Sequence, residues 1–340
     1  MSTATIDMRM RLATEAGLTA FVVESDDGAV VARISPVGAT LLSWRASDGS
    51  ASYDLVDGYQ DAAELTEQAG VRNAVMAPFT NRVRDARYGF DGEEHDLTAS
   101  ATGSPPLLLH GMFRTRRFAP VESIATADSF MLRLRNQQLV EPVADPMPGY
   151  PFAVGLDVVY VLRRDSIAMD IIATNHGESA APVTLGWHPY FTLGAPVDQL
   201  VLHVDAAARV ATDDALIPLD GDAGIVELSD GDALDFRHPR QVGSAVIDTC
   251  FTGLATASDG LHHTFIQNPA TGVGLDVWQE RGSMHVYTAD HLERGPRASI
   301  ALEPVEALTN AFNRRDQADL VRLQPGQARA FRFGARLITT

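Results

Sequence analysis

Over most of this chain, apolar and polar residues alternate with a period of two, in short runs separated by glycine, proline and aspartate. Side chains of an extended chain point alternately to opposite faces, so such runs predict strands. Ala20–Glu24, Ala29–Ser35 and Ala39–Trp44 are the first three, divided by Asp26–Asp27–Gly28 and Pro36–Val37–Gly38. Tyr53–Val56 follows the turn at Asp48–Gly49, and Tyr59–Glu67 has the pattern of a short helix. Arg87–Phe90 and Glu94–Leu97 flank Asp91–Gly92, a strong hairpin signal. Arg117–Ile124, Phe130–Asn136, Phe152–Leu162, Ser166–Thr174, Leu200–Val204, Ser244–Asp248, His263–Gln267, Val273–Trp278, Met284–Tyr287 and Gln327–Leu337 continue in the same style. Residues before Thr19 carry little pattern and are expected to be loosely held. The Pro/Gly-rich stretch Asp145–Pro151 is the best candidate for a boundary. Strand patterns run on unchanged to either side of it, so residues 1–340 read as a single all-β domain, a sandwich or barrel.

Two of these runs share a design. In Pro182–Phe191, PVTLGWHPYF, the residues Val183, Leu185 and Trp187 form an apolar face; Thr184, Gly186 and His188 form a small polar one. Pro189 follows at once, and a proline supplies no N–H for a continuing ladder, so the strand is expected to end with the imidazole at its lip. In Ser299–Pro304, SIALEP, the residues Ile300 and Leu302 face one way and Ser299, Ala301 and Glu303 the other, again with a proline next. Taken singly, each is an ordinary strand end. Repeated, the pattern offers a proton donor and a proton acceptor, each beside small residues that leave room for a ligand. Two further segments are candidates for a site. Met76–Arg87, MAPFTNRVRDAR, lacks periodicity and reads as a loop carrying Asn81 and Arg82; Leu107–Gly111, LLLHG, ends an apolar run with His110 before a glycine that permits a sharp turn.

Composition narrows the chemistry. The net charge is −17, which argues against nucleic acid and anionic membrane surfaces as partners. All 27 basic residues are arginine. Without lysine there can be no lysine Schiff base, no lysine-bound pyridoxal phosphate and no P-loop lysine. Cys250 is the single cysteine, so no intramolecular disulfide can form; it reads as a small core residue rather than a nucleophile. The N-terminus does not resemble a signal peptide and no run is long and apolar enough for a membrane span, so a cytoplasmic protein is the expectation. HExxH, cysteine pairs, an EF-hand loop, GxGxxG, a Walker sequence and GxSxG are all missing, and no metal site is expected. What remains is Arg82, His110, His188, Asp248 and Glu303, all near strand ends. If they meet in space, they supply an acid, a base, a cation and hydrogen-bonding groups, an inventory suited to proton transfer on a neutral, hydroxyl-rich ligand.

From about Gly38 to the C-terminus the chain resembles the aldose 1-epimerases, or galactose mutarotases. The matching pieces, in order, are GATLLSW, NRV at Asn81–Val83, LLLHG at Leu107–Gly111, GWHPYF at Gly186–Phe191, DTCFTGL at Asp248–Leu254 and ALEPVEALTNAFN at Ala301–Asn313. The resemblance implies a large antiparallel β-sandwich of the galactose mutarotase type, with a sugar bound in a cleft on one sheet. It implies Glu303 as general base and His188 as general acid, with Arg82, His110 and Asp248 orienting the sugar; Asn81 and Tyr190 are placed beside them. It implies no cofactor, a small sugar as partner, and a monomer or homodimer. For the acid role His188 is expected to be cationic at neutral pH, its pKa raised by a nearby carboxylate. GWHPYF departs from the form found in well-studied galactose mutarotases, and the sugar preference stays open. Alternatives are a hexose-6-phosphate mutarotase, using Arg114, Arg116 and Arg117 or Arg84 and Arg87, a non-catalytic sugar-binding protein on the same fold, and a glycoside hydrolase built on Asp248 and Glu303.

Overall fold

The alternating runs pair into antiparallel sheets, and the larger two lie face to face. The computed structural model describes residues 7–101, 108–136 and 147–340. One large sheet has nine strands in the order Arg240–Gln241, Val201–Val204, His262–Gln267, Val273–Gln279, Ala328–Thr339, Ser166–Asn175, Val154–Leu162, Phe130–Asn136 and Phe118–Ala125. The other runs Ile225–Glu227, Ala206–Val210, Asp248–Leu254, Ser283–Tyr287, Ile300–Val305, Gly186–His188 and Ala74–Met76, with Tyr190–Phe191 also paired to Ile300–Val305. The core fills the space between them. Trp187 stacks on Phe333 with ring centroids 5.5 Å apart, and Leu302, Val286 and Met284 join the same buried cluster as Leu275, Val277 and Phe331. Thus Trp187, with Val183 and Leu185, lies on the apolar face as alternation predicts, which turns the opposite face of its strand outward.

A five-stranded sheet joins Met8–Glu15, Leu18–Ser25, Val31–Ile34, Leu41–Ser47 and Ser52–Asp54 in sequence order. Here the expectation of a loose N-terminus fails. Met8–Glu15 pairs with Leu18–Ser25 over its full length, while residues 1–6 lie outside the described residues. The strand escapes a hydrophobic reading because it is a sheet edge: of its eight residues only Met8 is buried. The helix is shorter than predicted, Ala62–Glu67, because the Asp61 carboxylate caps it by accepting from the backbone N–H groups of Ala63 and Glu64. Ser104–Pro106, Leu107, Asp145 and Pro146 lie outside the described residues. No helix among the described residues is long and apolar enough to cross a membrane.

Candidate active site

Two small apolar clusters lie on the outer face of the second sheet. Tyr190, Ala289 and Ala301 form one; Met76, Val210, Cys250, Val305 and Leu308 form the other. Between them opens a cleft of about 350 Å³. Its buried floor is polar: Asn81, His110, His188, His285 and Glu303. Half-buried aliphatic side chains, Val71, Leu109, Leu216 and Leu292, line its walls. Val71 and Leu216 hold left-handed backbone, at φ of 51° and 58°, a conformation unusual for non-glycine residues and worst for a β-branched one.

Local chemistry fixes His188 and Glu303 against each other. Pro189 interrupts the pairing with Ile300–Val305: Gly186 pairs with Val305 and Tyr190 with Ala301, and no ladder pair to that strand lies between. Asn73 spans the break, its N–H donating to the His188 carbonyl at 2.9 Å and its side-chain oxygen accepting from the Tyr190 N–H at 2.8 Å. Glu306 closes the other end. Its Oε2 accepts from the Leu185 N–H at 3.2 Å and its Oε1 lies 2.7 Å from the Arg281 guanidinium. The Glu303 strand does not end where the sequence pattern suggests. It runs Ile300–Val305, through Pro304, because proline is tolerated where no ladder donor is required and the adjacent strand is already broken at Pro189. Glu303 therefore stands in mid-strand, with His285 directly opposite on the next strand.

His188 Nε2 lies 3.3 Å from Glu303 Oε1, and both side chains are almost wholly buried. Among the described residues, nothing hydrogen-bonds His188 Nδ1 or Glu303 Oε2. Both atoms are buried side-chain groups of residues that line the cleft, where a polar ligand can reach them. The His110 ring meets His188 edge to face at 4.8 Å. His110 Nδ1 lies 2.8 Å from the Met76 sulfur, which can only accept; Nδ1 therefore carries the hydrogen and Nε2 is an acceptor. Asn81 and His110 share a tie, the His110 N–H donating to the Asn81 carbonyl at 2.8 Å, and Arg82 bridges to Leu109. The loop expected to carry Asn81 and Arg82 past a site thus lies along the cleft. Arg82 donates to Asn81 Oδ1 at 3.0 Å.

Asp248 is placed differently from the prediction. It opens the strand Asp248–Leu254 instead of closing Ser244–Asp248, since its ladder partner is Tyr287. At the cleft mouth its carboxylate, 37% exposed, lies 2.8 Å from His285 Nε2. All seven predicted residues, Asn81, Arg82, His110, His188, Tyr190, Asp248 and Glu303, line this one cleft. Trp44 and Trp187 are core residues, and Trp278 is half-buried against Gly334; none of the three lines it. Arg84 and Arg87 are paired to Asp213 and Asp96 at 2.6 and 2.9 Å, and Arg114 donates to the Leu109 carbonyl; none of these arginines lines the cleft.

The electrostatics overturn one expectation. Burial drives the His188 pKa down to about 3, and the charge of Asp248 offsets little of this. Burial likewise pushes Glu303 up to about 8, with Asp248 adding to it while His285 and Arg82 pull the other way. Below that value the nearest carboxyl is itself uncharged, so it cannot hold His188 cationic. His110 is pushed well below its usual range by burial and by the neighbouring His188, Arg114 and His285. His285 behaves oppositely. Burial works against its cation, yet Glu303, where it is ionised, and the Asp248 hydrogen bond and charge favour it, and the ring is held well above the usual imidazole range. Ligand atoms of His110, His188 and Glu303 all lie within 4.8 Å of one another. Arg82 lines the same cleft, and its positive charge would oppose a cation held by these three.

Sequence reasoning missed His285, Tyr287 and His291, which also line the cleft. The first two carry a signal: in Ser283–Tyr287 the apolar Met284 and Val286 alternate with Ser283, His285 and Tyr287, the same design as the His188 and Glu303 runs.

Known proteins share this architecture. A family model described as aldose 1-epimerase matches residues 22–335. The Escherichia coli protein YihR is 28% identical over 74% of this chain and 75% of its own. The E. coli aldose 1-epimerase is also 28% identical, over 78% of this chain and 71% of its own. A crystal structure of a galactose mutarotase-like protein from Clostridium acetobutylicum superposes with a TM-score of 0.82 over 98% of this chain and 99% of that one, at 12% identity. With its antiparallel sandwich and a match that spans nearly all of its length, the chain belongs to the aldose 1-epimerase family.

Proposed function

We propose that the protein interconverts the α and β anomers of an unphosphorylated hexose by opening and reclosing the sugar ring. The observation that carries this reading is the buried His188–Glu303 pair, 3.3 Å apart, each residue keeping one polar atom without a partner among the described residues. Between about pH 3 and about 8 the pair holds one titratable proton, since burial disfavours both charged forms. Anomer exchange needs just that: one group to give a proton while the other takes one. A sugar hydroxyl donating to the free Glu303 Oε2 favours the carboxylate and moves the shared proton toward His188. Glu303 then removes the proton of the C1 hydroxyl as His188 protonates the ring oxygen. The C1–ring oxygen bond breaks while the C1 carbonyl forms. Rotation about C1–C2 and attack by the hydroxyl on the other carbonyl face reverse both transfers, and no atom is gained or lost.

Each positioned proton transfer contributes roughly 10²–10⁴-fold. Arg82, Asp248 and the acceptor nitrogen of His110 supply hydrogen bonds that hold the ring in place. Among the described residues Arg82 is the single guanidinium lining the cleft, and it already faces Asp248 and Glu303, which favours a neutral sugar over a hexose phosphate. A hydrolase reading would assign the chemistry to Asp248 and Glu303 and leave the shared proton of His188 unused. Polarimetry on freshly dissolved α-glucose and α-galactose tests the proposal. Rotation should relax faster with enzyme than in buffer; an unchanged rate across a panel of free aldoses would refute it.

A further inference from the structure

Asp248, His285 and Glu303 stand side by side on three adjacent strands. Antiparallel register sets His285 opposite Glu303 on one flank and opposite Cys250 on the other, and Asp248, two residues before Cys250, shares that face. The His285 side chain is 10% exposed, and Asp248 Oδ1 lies 2.8 Å from its Nε2. The acid–base pair of the proposed reaction does not require a third histidine here. We propose that His285 is a positioning residue, a resident imidazolium clamped by Asp248, which biases the proton of the neighbouring Glu303–His188 pair and holds Asp248 in place for a sugar hydroxyl.

An imidazolium has two N–H donors and no acceptor. Nε2–H serves Asp248, and the Cys250 thiol meets the ring from across the ladder. The other charged or titratable groups around it divide by element. The Glu303 strand presents Glu303; the Gly186–His188 strand presents His188; the loops beyond present His110, and Arg82, which faces the same two carboxylates. The Asp248 carboxylate thus favours the cation throughout, Glu303 adds to it once ionised, and neutral His188 and His110 do not oppose it. Adjacent strands are about 4.8 Å apart, close enough for the His285 charge to act on Glu303 through little solvent. The charge favours the Glu303 carboxylate over the acid, which is the form that must accept the sugar proton. His285 itself is not cast as the donor, because its Nε2–H is committed to Asp248.

This inference rests on the anomer-exchange reading, and two measurements separate them. His285→Gln keeps an amide donor for Asp248 but removes the charge. In the folded variant the alkaline limb of kcat/KM should move up by roughly one pH unit, as Glu303 holds its proton longer, while KM changes little. His285→Leu, lacking the donor, should also raise KM. A folded His285→Gln enzyme with the wild-type alkaline limb would overturn the proposal. Histidine-ring NMR of the wild-type protein reads the charge without turnover. The His285 ring should remain imidazolium at pH 7, and a neutral ring there would overturn the assignment. If the wild-type protein relaxes no aldose, the functional reading fails and the NMR titration alone decides the state of His285.

Discussion

Glu303 is the residue on which activity and stability oppose each other. Glu303→Gln keeps the shape and can still hydrogen-bond a sugar, but it cannot accept a proton. Turnover should fall by roughly 10²–10⁴-fold while sugar binding, read by calorimetry, persists; a fully active variant would remove Glu303 from the base role. The same substitution should stabilise the fold. With its pKa raised from 4.5 to about 8, Glu303 is protonated when folded and ionised when unfolded over that interval. The unfolded state therefore gains as pH rises from 4.5 toward 8, and the wild type loses up to a few kcal/mol that the glutamine variant keeps. The gap in melting temperature should be small near pH 5 and widen toward pH 8; a constant gap would contradict the buried-acid picture. His188 titrates in the opposite window, costing stability as pH falls from 6.5 toward about 3. Activity follows the shared proton. kcat/KM should be level from about pH 5 to 7 and decline above about pH 8, where the pair becomes empty. A rate that climbed through pH 8 would instead mean that Glu303 acts alone with a separate donor.

At the level of elements, the site depends on close backbone approaches as much as on its polar side chains. Gly111 has φ of +73°, and a Cβ there would lie 2.0 Å from the Ala77 carbonyl oxygen. That oxygen accepts from the backbone N–H groups of Met112 and Phe113, which joins the His110 segment to the start of the Arg82 loop. Gly111→Ala should cost at least roughly 1–3 kcal/mol. It should also lower kcat, since about 1 Å of misplacement can cost roughly 10²-fold in rate. Wild-type kinetics and melting temperature in this variant would show that the contact is not needed. The strand interiors were legible where alternation was clean, as in Val183–Leu185–Trp187 against Thr184–Gly186–His188. Ends were less so. Local pattern puts Asp248 at the wrong end of a strand because its partner, Tyr287, lies 39 residues on and leaves no local trace. Pro304 looks like a terminator in the sequence because the break that accommodates it belongs to a different strand. His285 was overlooked although its run has the same alternation, since a histidine between methionine and valine gives no sign of the carboxylates on either side.

For the molecule as a whole, the sheets remote from the cleft provide the contrast. Met8–Glu15 forms eight ladder pairs with Leu18–Ser25 yet buries almost nothing, so hydrophobic pattern could not reveal it. Deleting residues 1–17 would strip the edge of that sheet and should lower the melting temperature by roughly 2–4 °C, leaving sugar turnover intact. An unaltered melting curve would restore the view of a loose N-terminus. Alternation and turn residues alone determined that the chain is built of strands, which faces turn inward, and which polar residues are left over at the outer face. Those are local properties, set by the two-residue period of an extended backbone. Register across the sheet decided the rest: that His285 stands opposite Glu303 and beside Asp248, and that the buried His188 and Glu303 meet at 3.3 Å. Burial sets their proton affinities, and burial depends on what the distant parts of the chain lay over each group.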